Sequence, residues 1–334
     1  MTGRHAAEHK KHPKLGYTLY IIAATLWSFN GTIAKVVLNE VGEPLRVSQF
    51  RGSATAAVLI LVVLLSNRRG FLIKWKEAAL LALYGIVGVA MCQWFYFESI
   101  SRIPITISLL IEFMAPIFVV LYVRYVWKQP VKSTVWIGIA LAMGGLALVQ
   151  QVWKGMILNP LGIMYALGSM TCLIVMYLVG DRASRNRDPL SLVMWAFIFS
   201  TIFFALLRPW GSFPWDAFTA TVKPFENYDF TSPIWPFFAY IVIGGTVLPY
   251  LLVITSMRHI GGAGAAIVGI TEPPIAAVIA WVVLGEKLNP IQILGGFVIL
   301  LGVFLAENAR DVSNSSQEHL IVSPEVSEAV NTQH

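Results

Sequence analysis

Charge is what this chain has least of. Only 13% of its 334 residues are Asp, Glu, Lys or Arg and 57% are hydrophobic, against roughly 25% and 45–50% in an ordinary soluble domain. Contiguous apolar surface drives association in water, so the soluble classes are excluded, and a mean hydropathy of +0.69 agrees. Cysteine is nearly absent: Cys92 and Cys172 both lie inside apolar runs, which excludes a disulfide framework and a Cys-based metal site. No Asp falls within an apolar run, and His259 is the one histidine away from the termini. Intramembrane aspartyl or His–Glu zinc chemistry is therefore excluded. A Gly-x-x-x-x-Gly-Lys-Ser/Thr loop is also missing, so the chain does not hydrolyse ATP, and neither cofactor nor metal is expected.

What is present is a series of ten apolar runs, each about 20 residues, the length of a helix across ~30 Å of hydrocarbon. They cover 17–38, 46–66, 78–98, 103–123, 134–152, 160–180, 189–208, 234–257, 262–284 and 288–307. Backbone polar groups in lipid must be satisfied within the segment, and the runs are too long and too uniform for barrel strands. The expected fold is an all-α polytopic membrane protein with ten transmembrane helices. The first run is too long for a signal-peptide core and lacks a small-residue cleavage site.

The net charge of +6 has a topological reading. Arg4, Lys10, Lys11, Lys14, Arg68, Arg69, Lys74, Lys76, Arg124, Lys128, Lys132, Arg182, Arg185, Arg187, Arg258 and Arg310 fall in alternate connections. The other connections hold only Arg46, Arg102, Lys154, Arg208, Lys223 and Lys287. By the positive-inside rule both termini are cytoplasmic, in the plasma membrane, and the basicity is not a nucleic-acid surface. Residues 1–16 read as a basic cytoplasmic tail and 308–334 as a disordered one. The long outer connection 209–233 reads as an interfacial loop, with a lid as the alternative.

The chain repeats itself. Placing Pro116 on Pro274 also brings Gly138 onto Gly296 and Gly144 onto Gly302, while Pro44-Leu45 matches Pro189-Leu190. The repeat pairs runs 1–5 (17–152) with runs 6–10 (160–307). Five is odd, so the second copy is inverted, an arrangement of secondary transporters. Leu284-Gly285-Glu286-Lys287-Leu288-Asn289-Pro290, Gly295-Gly296, Leu301-Gly302-Val303, Trp27-Ser28, Pro44 and Arg51 together resemble the EamA-like branch of the drug/metabolite transporter superfamily. That resemblance implies two five-helix EamA-type repeats and transport of small metabolites, often export. The first copy departs from it, with Trp127-Lys128-Gln129 where the second has Gly285-Glu286-Lys287.

Ionisable groups within a bilayer are expensive and so are functional candidates. Glu112 and Glu272 are roughly 14 and 15 Å into their runs at the usual helical rise. Each adjoins a proline, Pro116 for one and Pro273-Pro274 for the other. A proline kinks a helix and frees a carbonyl, tolerated in membranes where the freed group faces protein or a wet cavity. The two carboxylates would exchange a proton as access alternates, would pair with a substrate ammonium, or would only support the kinks. Arg51, roughly 8 Å in, reads either as a snorkelling side chain or as a fork for a substrate carboxylate or a partner for Glu112 or Glu98; the resemblance favours a role in the cavity. Glu98 and Arg102, four apart, suggest an interfacial ion pair. Asn30, Trp27, Gln93, Trp94 and Tyr165 are further lining candidates. The expected function is secondary transport of small metabolites such as amino acids, by alternating access through one central cavity, with proton coupling as one form. A membrane-embedded enzyme, or a regulatory membrane protein without flux, is the alternative. The expected partners are a small-molecule substrate and lipid, not nucleic acid and not ATP.

Overall fold

The computed structural model describes residues 12–103, 105–151, 159–224, 230–284 and 289–322. Eleven helices follow one another among them: α1 Pro13–Val41, α2 Pro44–Ser66, α3 Trp75–Ile100, α4 Ile105–Glu112, α5 Ala115–Tyr125, α6 Ser133–Gln150, α7 Pro160–Ser184, α8 Pro189–Leu207, α9 Trp235–Gly269, α10 Glu272–Leu284 and α11 Pro290–Val322. Eight helical stretches are long and apolar enough to cross a membrane, and Ser133–Val149 is a shorter apolar helix. Several begin at a proline (Pro13, Pro44, Pro160, Pro189), where the missing N–H has no intrahelical partner to lose. The Asn159 and Asp188 side chains cap α7 and α8, accepting from Leu161 N and Ser191 N at 2.9 Å each. Gly42, at φ 73°, closes α1 in the left-handed conformation that glycine adopts without strain.

Helices cover the expected runs, but with different divisions: α9 runs on from the eighth expected run into the ninth. The fourth run is broken at Phe113–Met114, between α4 and α5, and the ninth at Ile270–Thr271, before α10. Two stretches expected as plain α-helix widen into π-helical turns, Tyr84–Met91 in α3 and Ile243–Val247 in α9. α9 also turns sharply at Gly261 (φ 73°, ψ 167°), within the tight junction expected there. The outer connection is not wholly irregular: β1 (Thr221–Val222) pairs antiparallel with β2 (Ser232–Pro233). Its Phe213 is buried, and the Phe218 ring stacks 4.3 Å from Phe238, so this part is packed down onto the helices. α11 continues to Val322, into the segment expected as a tail. Residues 1–11, Lys154 and the Glu286-Lys287 turn lie outside the described residues.

Residues 13–150 and 160–322 interlock helix by helix. α1 packs along α9, α2 along α8, α3 along α7 and α6 along α11. The last seam is glycine-lined. A Cβ on Gly138 would stand 2.6 Å from the Gly302 carbonyl, and one on Gly145 would stand 2.7 Å from that of Gly295. The backbones touch, as small residues permit in membranes, and the pairing runs antiparallel. Outside this core, Leu65, Leu206, Phe297 and Phe304 are largely exposed, a belt suited to lipid and not to water.

α2 and α8 are joined at both ends. Arg46, fully buried, donates to Gln49 Oε1 at 2.7 Å, to the Pro209 carbonyl at 3.0 Å and to the Ser212 hydroxyl. At the other end Arg187 donates to Glu77 Oε1 at 2.6 Å, Ser191 Oγ at 2.7 Å, the Leu72 carbonyl at 3.0 Å and the Gly70 carbonyl.

Candidate functional site

Both glutamates stand at helix breaks. Glu112 is the last residue of α4, and Pro116 four residues on has no N–H for its carbonyl. Glu272 is the first residue of α10, with Pro273 and Pro274 directly after it. Both residues are half-buried.

Their immediate surroundings differ. Glu112 Oε1 accepts from Ser169 Oγ of α7 at 2.9 Å and from Cys92 Sγ of α3 at 3.9 Å. Ser169 Oγ also lies 3.2 Å from the Cys92 carbonyl, and a hydroxyl has one proton to give. An ionised Glu112 would take that proton. A neutral Glu112 could instead donate to Ser169, which would then donate to the carbonyl, so the site accommodates both protonation states. Near Glu272 the hydrogen bond goes to the backbone: Ser28 Oγ lies 3.1 Å from its carbonyl and 2.8 Å from that of Ala24.

Around the pair stands a set of phenols that the sequence reading left among the interfacial aromatics. Tyr96 stands one turn on from Cys92 in α3. Tyr250 accepts from Gln93 Nε2 at 3.1 Å and meets Trp27 edge-to-face at 5.7 Å. Tyr20 and Tyr177 share a hydrogen bond of 2.6 Å. Of these only Tyr250 lies well inside its expected run; Tyr20, Tyr96 and Tyr177 fall within four residues of a run end, where interfacial tyrosine is usual. Cys92 and Ser169 carried no comparable signal, being small residues in apolar company.

The expected site residues divide accordingly. Trp27 and Gln93 join the phenol cluster through Tyr250. Trp94 and Tyr165 belong elsewhere: Trp94 Nε1 donates to Glu98 Oε1 at 3.1 Å, and the Arg102 guanidinium lies 5.0 Å over the Tyr165 ring. The Glu98–Arg102 ion pair expected at the helix end organises both. Arg51 is paired with neither Glu112 nor Glu98. Its guanidinium donates to the Gly245 carbonyl at 2.8 Å and to Thr246 Oγ1, filling the π-helical turn of α9, where the wider turn leaves carbonyls to other donors. Asn30 presses on the same turn: a Cβ on Gly245 would lie 1.9 Å from Asn30 Oδ1, which is buried without a hydrogen-bond partner. Pro116, Pro273 and Pro274 sit at the two breaks as expected. Among the described residues no group of three or more His, Cys, Asp or Glu could hold a metal.

The described residues form a helical membrane bundle of two interlocked halves with a glutamate at a helix break in each. The EamA-like transporter family model matches residues 14–150 and again 160–307, so the chain belongs to the EamA-like transporter family, within the drug/metabolite transporter superfamily. It is similar to the threonine/homoserine exporter RhtA of Escherichia coli K12, 27% identical over 66% of this chain and 68% of that protein. The uncharacterized transporter YwfM of Bacillus subtilis is 23% identical over 88% of this chain and 94% of its own. A solved crystal structure superimposes with a TM-score of 0.64 at 15% identity, over 89% of this chain and 98% of that one, which speaks to the fold alone.

Proposed function

We propose that this protein is a secondary transporter that exports small zwitterionic metabolites, amino acids first among them, by alternating access. Its ten spans form two inverted five-helix repeats in the plasma membrane, with both termini cytoplasmic. The antiparallel α6–α11 seam and the two π-helical turns, at corresponding places in the two halves, support the inverted arrangement. The name of the RhtA relative supports export of amino-acid-like substrates.

One observation carries the reading: Glu112 and Glu272 lie at matched, proline-marked helix breaks, one in each half of the chain. Two carboxylates suit an ammonium group, and the protonation-tolerant Glu112–Ser169–Cys92 arrangement suits proton exchange. Arg51 then acts on a substrate carboxylate by orienting the π-helical turn it fills. Reconstituted protein should release amino acids from proteoliposomes, with a rate that responds to a pH gradient. An amino-acid panel giving no flux above empty vesicles would refute the reading.

A further inference from the structure

α1 and α7 belong to opposite halves and come together mainly at one point. There the Tyr20 and Tyr177 hydroxyls meet at 2.6 Å, both side chains buried. Tyr20 is the eighth residue of α1, and Tyr177 lies seven before the end of α7, which places both in the half of the bundle that bears the start of α1. The seat of the pair is Gly269, three residues before Glu272. A Cβ there would stand 2.9 Å from each hydroxyl, so a larger residue would push the pair apart.

The same half of the molecule is otherwise sewn shut. Ser256 Oγ donates to the Gly16 carbonyl at 2.8 Å, and Gly16 leaves no room for a Cβ beside Ile260 and His259. Asp181 Oδ1 accepts from Gly262 N at 3.1 Å just past the Gly261 turn. In the other half, cross-half bonds run instead from α2 to the end of α8 and the connection after it, Arg46 to Pro209 and Ser212 and Gln49 to the Arg208 carbonyl. No hydrogen bond or ion pair among the described residues joins α1 beyond Trp27 to α7 before Ser169.

We infer that the Tyr20–Tyr177 pair, seated on Gly269, is the gate separating the Glu112–Glu272 site from the face that bears the N-terminus. The inference rests on the transport reading for its purpose but not for its test. A Glu272→Cys thiol is labelled with a membrane-impermeant maleimide in vesicles of each orientation, against the parent that retains Cys92 and Cys172. The thiol reacts from the face opposite the N-terminus. Adding Tyr20→Phe with Tyr177→Phe removes the bond while keeping both rings, and should raise labelling from the N-terminal face about fivefold, the population change one net hydrogen bond commands. Labelling from the opposite face should not rise. Should the double variant fail to purify as a monodisperse species, Gly269→Ala, which wedges the hydroxyls apart, should produce the same one-sided increase. Unchanged labelling, an equal rise from both faces, or no labelling from either face would overturn the gate. Labelling needs no flux, so a one-sided increase in a protein that transports nothing would refute the transport reading and leave the gate standing.

Discussion

In the first half of the molecule, Glu112 closes a helix and its carboxylate is met by Ser169 and Cys92. In the second half, Glu272 opens a helix, and the nearby hydroxyl, Ser28, is spent on backbone carbonyls. Equivalent breaks therefore hold carboxylates in unlike company. Glu112 has protein donors for its charge, whereas among the described residues no hydrogen bond reaches the Glu272 carboxylate, and an unmet charge away from water is costly. On the transport reading proposed above, the difference would divide the work: Glu272 would respond to what enters, and Glu112 would be the group whose state the protein holds.

The two π-helical turns repeat the contrast. A Cβ on Gly85 would lie 2.3 Å from the Ala196 carbonyl, so that turn is packed backbone against backbone. At the second turn, the close neighbours are the side chains of Arg51 and Asn30.

Four experiments would break or sharpen this division. Glu272→Gln should lower flux about a hundredfold, the upper range for losing a hydrogen bond to a charged group, measured in proteoliposomes. Gly85→Ala meets immovable backbone and should lower stability by about 2 kcal/mol, whereas Gly245→Ala meets a side chain that can swing aside and should cost less than about 1 kcal/mol, both read as thermal unfolding of the purified protein. Glu112→Gln should lower flux about tenfold and flatten its dependence on the pH gradient; a larger loss here than at Glu272 would reverse the assignment. Ser169→Ala should reduce flux about fivefold and add little in a Glu112→Gln background, because the two residues share one interaction.

Much of the fold was legible because lipid leaves so little freedom: apolar length sets the helices and proline marks the breaks at Glu112 and Glu272. The carboxylates stood out because charge at that depth is rare. What stayed hidden depends on neighbours distant in sequence. Tyr84–Met91 reads as ordinary helix, and only the close approach of Ala196 to Gly85 distinguishes it. Arg51 was found, but its partners Gly245 and Thr246 lie 194 and 195 residues away. Arg46 read as one more outer charge, yet it is wholly enclosed, because the carbonyl and hydroxyl that satisfy it arrive from the connection after α8. The company of Trp94 and Tyr165 was hidden for the same reason, since they meet the Glu98–Arg102 pair that holds them only in the fold.

The arginines at the two ends of α2 and α8 have a mechanical consequence. A pair of rods pinned at one end can splay, but Arg46 pins one end and Arg187 the other, so these rods can neither scissor nor slide without breaking several charge-assisted bonds at once. They form a strut. On the alternating-access reading proposed above, α2 and α8 would travel as a single beam about which the remaining helices rock.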